Sequence, residues 1–320
     1  MTHYDIFNGD ADGLCALQQL RLAEPCETQL VTGVKRDIAL LQQVSVETGD
    51  FLTVMDISFD KNRQAVEAAL AVGASIRYFD HHFAGELPSH PALELHIDTA
   101  PTTCTSLLMD DYLAGRFRAW AVTGAFGDNM EQSAQQRAVG MGYTEAELDR
   151  LRELGTYLNY NGYGAELADL YFHPAELYAH LHPYAQPLDF IADSAAFTVL
   201  QEGYHADMAR AEQLRPLRAD DAAAAFILPE EKWARRVAGV YGNQLATDFP
   251  RRAHAVLTEQ EQGAAYTVSV RAPLADLRDA DTLCRQFATG GGRKGAAGIN
   301  RLPAQALDNF IDAFWALYAK

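Results

Sequence analysis

The sequence predicts an α/β protein: a doubly wound parallel sheet in an N-terminal domain with a helical subdomain, plus a smaller α/β C-terminal domain. Three observations carry this. Short apolar runs alternate with amphipathic stretches of helical length through the first third. Leu, Ala and Glu then recur at helical spacing from about residue 134 to 213. Strand-like runs return in the last third. The expected division is 1–213 for the first domain, 214–232 for a linker broken by Pro216 and mixed charge, and 233–320 for the second.

In order, His3 to Phe7 reads as a strand, Asn8-Gly9-Asp10 as a turn, and Gly13 to Ala23 as a helix with Leu14, Leu17 and Leu20 on one side. Gln29 to Thr32 is a second strand and Ile38 to Val44 a helix. Phe51 to Met55 is a third strand, Asn62 to Val72 an Ala-rich helix, and Ser75 to Phe79 a fourth strand. The helical middle is punctuated by Pro174, Pro183 and Pro187. Beyond the linker, Val237 to Val240, Ala253 to Leu257 and Ala265 to Arg271 read as strands, and Asp281 to Phe287 as a helix. Gly290 to Gly298 is a glycine-rich turn, and Asp308 to Tyr318 a closing helix.

The chain has 320 residues, with 26 Lys+Arg against 43 Asp+Glu and a formal net charge of −17. That balance excludes a protein held along long nucleic acid by many phosphate contacts, because such affinity comes from Lys and Arg. A small phosphorylated substrate stays admissible, since a few local cations hold one. No apolar run approaches the roughly 18 residues of a membrane span, so no membrane partner is expected. The start, Met1-Thr2-His3-Tyr4-Asp5, lacks the basic and apolar regions of a signal peptide. Cys15, Cys26, Cys104 and Cys284 lie far apart with no zinc-like spacing, which suits free thiols in a cytoplasmic protein.

Carboxylates follow three of the expected strands. Asp10 and Asp12 follow the first, Asp56 follows Val54-Met55, and Asp80-His81-His82 follows Tyr78-Phe79. Ligands of an open parallel sheet bind at the carboxyl ends of its strands, so these groups converge in space. Asp128, in Gly127-Asp128-Asn129, ends an apolar segment in the same way. An Asp at one strand end is usually a cap or turn residue; recurrence at three ends weakens that reading. Such a cluster left bare would repel itself, and divalent cations resolve the conflict. Mixed carboxylate and imidazole donors suit Mn²⁺, with Mg²⁺ the alternative, and the set is large enough for two ions, an arrangement suited to phosphoryl transfer.

Gly9-Asp10-Ala11-Asp12-Gly13, Asp56 of Met55-Asp56-Ile57-Ser58, Asp80-His81-His82 and Gly127-Asp128 resemble, in order, the four motifs of the DHH phosphoesterase superfamily. Val268-Ser269-Val270-Arg271 with Gly290-Gly291-Gly292-Arg293-Lys294-Gly295-Ala296-Ala297-Gly298 resembles the DHH-associated C-terminal domain. The resemblance implies that Asp10 and Asp12 bind two metals separately, with Asp56 bridging them. It implies that His81 and Asp128 complete the second ion's shell, that His82 faces substrate, and that Asp80 orients the imidazoles. A metal-activated water would then attack phosphorus.

Consecutive glycines let backbone N–H groups gather into a nest for anions. Gly290, Gly291, Gly292, Arg293 and Arg271 are therefore the expected substrate-binding group. Two positions depart from the family pattern. Ile6 stands where many members carry a His, which leaves one metal with a thinner protein shell, and Arg293 stands where the glycine motif usually continues with His. An arginine there acts only through charge and hydrogen-bond donation.

The expected function is a two-metal, Mn²⁺-dependent phosphodiesterase. Its expected substrates are short: linear dinucleotides, very short oligoribonucleotides or cyclic dinucleotides, bound between the two domains. The close alternative is a phosphomonoesterase acting on 3′-phosphorylated nucleotides such as adenosine 3′,5′-bisphosphate. From a different class, a nucleotide-binding regulator would show a degenerate metal set, whereas this one is nearly complete.

Overall fold

β1 (His3–Asn8) leads into α1 (Ala11–Ala23), followed by β2 (Gln29–Gly33), β3 (Phe51–Met55), α2 (Phe59–Ala71), β4 (Ser75–Asp80) and β5 (Leu93–Ile97). The strands pair in parallel in the order β2-β1-β3-β4-β5. The order reverses between β1 and β3, so the chain leaves these neighbours in opposite directions and opens a crevice at their carboxyl ends. This is the doubly wound sheet that the alternation predicts. The computed structural model describes residues 1–318, in two units, Met1–Glu202 and Gly203–Lys320.

On one face of the first sheet, Ile6, Leu52, Val54, Ile76 and Tyr78 pack with Phe59 and Val66 of α2 into a buried apolar cluster. Each such side chain contributes roughly 1.5–3 kcal/mol by leaving water. The expected helix over Ile38 to Val44 is only a 3₁₀ turn, Leu40–Gln43, which contributes Leu40 and Leu41 to this cluster. β5 was not expected; it is a half-buried edge strand beside β4, with charged and apolar residues alternating.

The middle of the chain is helical, as the spacing predicts: α3 (Thr105–Tyr112), α4 (Arg118–Gly127), α5 (Glu131–Ala138), α6 (Glu145–Gly162), α7 (Pro174–Leu181), α8 (Pro187–Asp193) and α9 (Ala195–Glu212). Pro174 and Pro187 open α7 and α8, where a missing N–H costs nothing. α1 is enclosed, with every residue from Ala11 to Arg21 buried. Its buried polar side chains place their donors on specific acceptors. Gln18 donates to the carbonyls of Leu181 and Tyr184, Gln19 to those of Cys15 and Ser106, and Arg21 to both oxygens of the buried Asp5.

Glycines let α1, α4 and α6 approach at backbone distance. A Cβ on Gly127 would lie 2.3 Å from Ala11 Cβ and 2.7 Å from the Gly155 carbonyl oxygen. A Cβ on Gly155 would lie 2.3 Å from the Thr123 carbonyl oxygen.

The second unit is built on a six-stranded sheet. Its elements are β6 (Arg218–Ala219), β7 (Ala223–Leu228), α10 (Lys232–Asp248), β8 (Ala253–Gln260), β9 (Ala265–Arg271), α11 (Ala280–Cys284), β10 (Gly290–Arg293), β11 (Ala296–Pro303) and α12 (Leu307–Tyr318). The strand order is β10-β11-β9-β8-β7-β6, antiparallel except for β7 beside β8. Three expectations fail here. Stretch 214–232, read as a linker, holds β6 and β7. Val237 to Val240 is helix, because Trp233, Val237, Val240 and Tyr241 form one buried face at helical spacing. The glycine-rich turn is a hairpin, with Gly290 to Arg293 paired to Ile299 to Ala296.

Among the described residues no helix is long and apolar enough to cross a membrane, and all four cysteines are free. We predict that Gly127→Ala destabilises the protein by about 1–3 kcal/mol, the usual cost of overpacking, measured by urea unfolding. A neutral effect would mean that α1, α4 and α6 separate more easily than their backbone contacts indicate.

Candidate metal centre

The crevice beside β1 and β3 is where the sequence places its carboxylates, and the helix starts explain how they are held. Asp10 is the N-cap of α1; its Oδ1 accepts from the backbone N–H of Asp12 at 3.1 Å and of Gly13 at 3.2 Å. Asp12, two residues on and still in the first turn of α1, caps a different helix. Its Oδ2 accepts from Thr105 N at 2.7 Å and its Oδ1 from Ser106 N at 2.8 Å, supplying the start of α3 with the cap that Cys104 does not give. Asp80, at the end of β4, caps α2 through Phe59 N at 3.2 Å. It also accepts from the backbone N–H groups of His81 and His82 and from His82 Nδ1 at 2.7 Å.

Asp56 follows β3 with a left-handed backbone, φ 60°, a conformation uncommon outside glycine. Its N–H donates to the Phe79 carbonyl, and its Oδ1 accepts from the Thr105 hydroxyl at 3.3 Å. Such strained backbone is characteristic of functional sites. Asp128 arrives differently from the expectation. It terminates helix α4, not a strand, and it reaches the crevice because α4 packs against α1.

His81 ties these together. Its Nδ1 lies 3.1 Å from the Thr103 carbonyl oxygen, which can only accept, so Nδ1 carries the proton. In the neutral imidazole Nε2 is then an open lone pair. It lies 3.5 Å from Asp56 Oδ1, 3.8 Å from Asp128 Oδ2 and 3.9 Å from Asp12 Oδ2. A lone pair beside carboxylates has nothing to donate to them, whereas a cation is accepted by both, and Asp56, His81 and His82 have ligand atoms within 4.8 Å of one another. The donor set therefore fits a divalent ion. His82 stands beside it, with Nδ1 3.9 Å from Asp56 Oδ1 and a half-exposed ring, so its ligand atoms too fall within reach of an ion at Asp56 and His81.

The electrostatics record the strain of leaving these carboxylates together. Burial, then the charges of Asp10, Asp12 and Asp128, push the Asp56 carboxyl well above its ordinary value. Asp128 is raised by burial as well, although the charge of Lys35 draws it down. Burial pulls His82 down, but the hydrogen bond and charge of Asp80 outweigh it and leave the imidazole raised. Asp10 is the exception. Burial pushes it up, yet Lys35 overcomes this and holds it below the ordinary range.

Lys35 was not anticipated. Its Nζ lies 2.5 Å from Asp10 Oδ2, 2.9 Å from Asn159 Oδ1 and 3.6 Å from Asp128 Oδ1. The signal was present in the sequence, because Lys35 follows the end of β2 just as the aspartates follow β1 and β3. Asn159 is buried and orients this ammonium.

In the second unit, Arg293, Ala296 and Arg271 form one register row across β10, β11 and β9, which brings both predicted arginines to the same end of the sheet. Arg271 donates to Asn243 Oδ1 at 2.7 Å and to Ser269 Oγ at 2.8 Å. Arg293 is exposed. Gly290 and Gly292 are required by the hairpin itself: a Cβ would meet the Cys284 carbonyl oxygen at 1.7 Å and Ala297 Cα at 2.5 Å. A Cβ on Gly291 would meet nothing within 4 Å.

No protein-family model and no curated protein matches the chain. Solved structures do. The exonuclease RecJ bound to manganese matches with a TM-score of 0.64 at 15% identity, over 100% of this chain and 90% of that one. The pGpG-specific phosphodiesterase PggH of Vibrio cholerae matches with a TM-score of 0.59 at 15% identity, over 98% and 97%. RecJ of Thermus thermophilus in complex with Mn²⁺ matches with a TM-score of 0.58 at 16% identity, over 99% of this chain and 52% of that one. The chain thus has the fold of these proteins, which is the fold the motif resemblance implies.

Asp56, Asp128 and His82 all hold protons in the folded state that the unfolded chain releases. Their contribution to stability is complete below the unfolded pKa values and is lost as pH rises through the raised ones. In chelator, the thermal midpoint should therefore fall as pH is raised from about 5 to about 8. Asp56→Asn should flatten that fall and raise the midpoint at neutral pH. A wild-type midpoint that rises with pH over this window would contradict the picture.

Proposed function

We propose that the chain is a divalent-metal-dependent phosphodiesterase of the DHH superfamily that acts on short nucleotide substrates, linear dinucleotides foremost. The observation that carries the reading is the placement of His81, whose Nδ1 is held by the Thr103 carbonyl while Nε2 lies 3.5 to 3.9 Å from the carboxylates of Asp12, Asp56 and Asp128. These four residues would hold the ion, and their mixed donor set favours Mn²⁺ over Mg²⁺. When bound, such an ion lowers the pKa of a water and offsets charge on a phosphoryl group.

The chain's own groups supply the rest. Asp80 accepts the Nδ1–H of His82, which leaves Nε2 of the raised, half-exposed imidazole to carry the other proton. That proton can go to a phosphate oxygen or to the leaving oxygen. Thr103 and Asp80 fix the two rings through bonds that do not depend on substrate, so the imidazoles are oriented before it arrives. Arg271 and Arg293 would bind a phosphate by charge and hydrogen-bond donation. A left-over negative charge across the chain disfavours long polyanions and leaves their smallest fragments. The free thiols suit a reducing cytoplasm. Similarity to a dinucleotide phosphodiesterase and to manganese-bound exonuclease structures supports this reading.

The test is a metal-by-substrate screen over linear dinucleotides, cyclic dinucleotides, adenosine 3′,5′-bisphosphate, pyrophosphate and single-stranded DNA. Release of mononucleotides from a linear dinucleotide, dependent on Mn²⁺ and abolished by Asp56→Ala, is expected. Release of inorganic phosphate from the bisphosphate alone would replace the diesterase by a monoesterase; no turnover of any substrate would leave a binding protein. Asp80→Asn should lower kcat by about 10–100-fold, the usual effect of removing a group that orients a ligand. Unchanged kcat would show that the imidazoles hold their orientation without it.

A further inference from the structure

We infer that the centre is built for a single divalent ion, held by Asp12, Asp56, His81 and Asp128, and that the ammonium of Lys35 occupies the second cationic place, beside Asp10. The inference rests on the metal-dependent reading above and concerns what stands where a second ion would be.

Asp10 and Asp12 each have a hydrogen-bond donor at both oxygens, but one of those on Asp10 is a cation. Oδ1 of Asp10 accepts two backbone N–H groups of α1, and Oδ2 accepts Lys35 Nζ at 2.5 Å. An ammonium has three protons to give. Lys35 has oxygen partners for them in Asp10, Asn159 and, at 3.6 Å, Asp128. An ion binding at Asp10 would have to displace this head or share its oxygens against its charge.

Lys35 is anchored from both ends of the residue. Its N–H donates to the Gly162 carbonyl at the end of α6, its own carbonyl accepts from Asn8 at 3.4 Å, and Asn159 grips the head from the same helix. The Tyr163 ring lies 5.5 Å below Nζ. A mobile surface lysine would have none of this support.

Position 6 completes the argument. Ile6 is fully buried in the apolar cluster with Leu52 and Val54, so position 6 gives no imidazole to an ion at Asp10, and the one polar group at the end of β1 is the neutral amide of Asn8. The imidazole of His81 is directed to Asp12, Asp56 and Asp128. One side of the crevice thus has four donors arranged around an open lone pair. The other has one carboxylate already neutralised by a protein cation. Lys35 can offset phosphate charge from that place, but it cannot ionise a water as a metal does.

The decisive measurement is metal stoichiometry, independent of turnover. Metal-free full-length protein is loaded with Mn²⁺, freed of excess by gel filtration, and examined by elemental analysis and electron paramagnetic resonance. One equivalent of manganese with an uncoupled hyperfine sextet is expected. Two equivalents with an exchange-coupled spectrum would overturn the inference while leaving the metal-dependent reading intact. No bound manganese would overturn that reading and the inference with it. The double variant Ile6→His, Lys35→Met should double the bound manganese and produce the coupled spectrum. A folded variant that stays at one equivalent would overturn the assignment of the second place to Lys35. The wild-type stoichiometry decides the question even where the variant fails to fold.

Discussion

Mutual repulsion among aspartates in one crevice is the constraint to which the rest of the first unit answers. Buried carboxylates this close are stable only when each oxygen has a donor or a cation. Asp10 has both, Asp12 has two backbone N–H groups, and Asp80 holds two backbone N–H groups, one helix start and one imidazole. Asp56 is left with one long hydroxyl contact at Oδ1 and a contact to Asp10, and it carries the largest unrelieved repulsion in the group. The position of least compensation is thus the position nearest the open lone pair of His81. The fold concentrates the demand for a cation at one point by meeting it everywhere else.

Much of this was legible in the sequence because the parallel sheet obeys a simple spatial rule. Residues just past the ends of β1, β3 and β4 must meet, so Asp10, Asp12, Asp56, Asp80, His81 and His82 could be grouped without coordinates. The same rule is indifferent to charge. Lys35 lies just past β2 and meets the aspartates by the same rule, but a single lysine after a strand carries no metal-ligand pattern that marks it in the sequence. Asp128 was found for an incomplete reason, since its segment is a helix and its place depends on glycine-mediated packing that no local pattern encodes. In the second unit, Val237 to Val240 looked like a strand because a short apolar run is ambiguous until Trp233 and Tyr241 are counted with it. Ala223 to Leu228, a true strand, has too many alanines to announce itself.

The rigidity of the crevice follows from how its walls are joined. α1 and α4 bring their aspartates into the crevice and touch through the Ala11 methyl against Gly127. Helices separated by no more than a methyl have little room to slide, so this contact sets the separation of Asp10 and Asp12 from Asp128. α6 closes the same cluster through Gly155 and carries Asn159 and Gly162, which place Lys35. The small residues of the helical subdomain therefore govern the geometry of charges that lie outside it.

Asp12 has a consequence for descent as well as for chemistry. Each of its oxygens accepts one backbone N–H from the start of α3, so the residue is a structural cap even with no ion present. Asparagine, its nearest neutral neighbour in shape, would set an amide N–H₂ against one of those donors. Any descendant, whatever its activity, would still be held to aspartate at this place by the need to begin a helix. At this position, persistence of the acid through evolution would testify to folding as much as to activity.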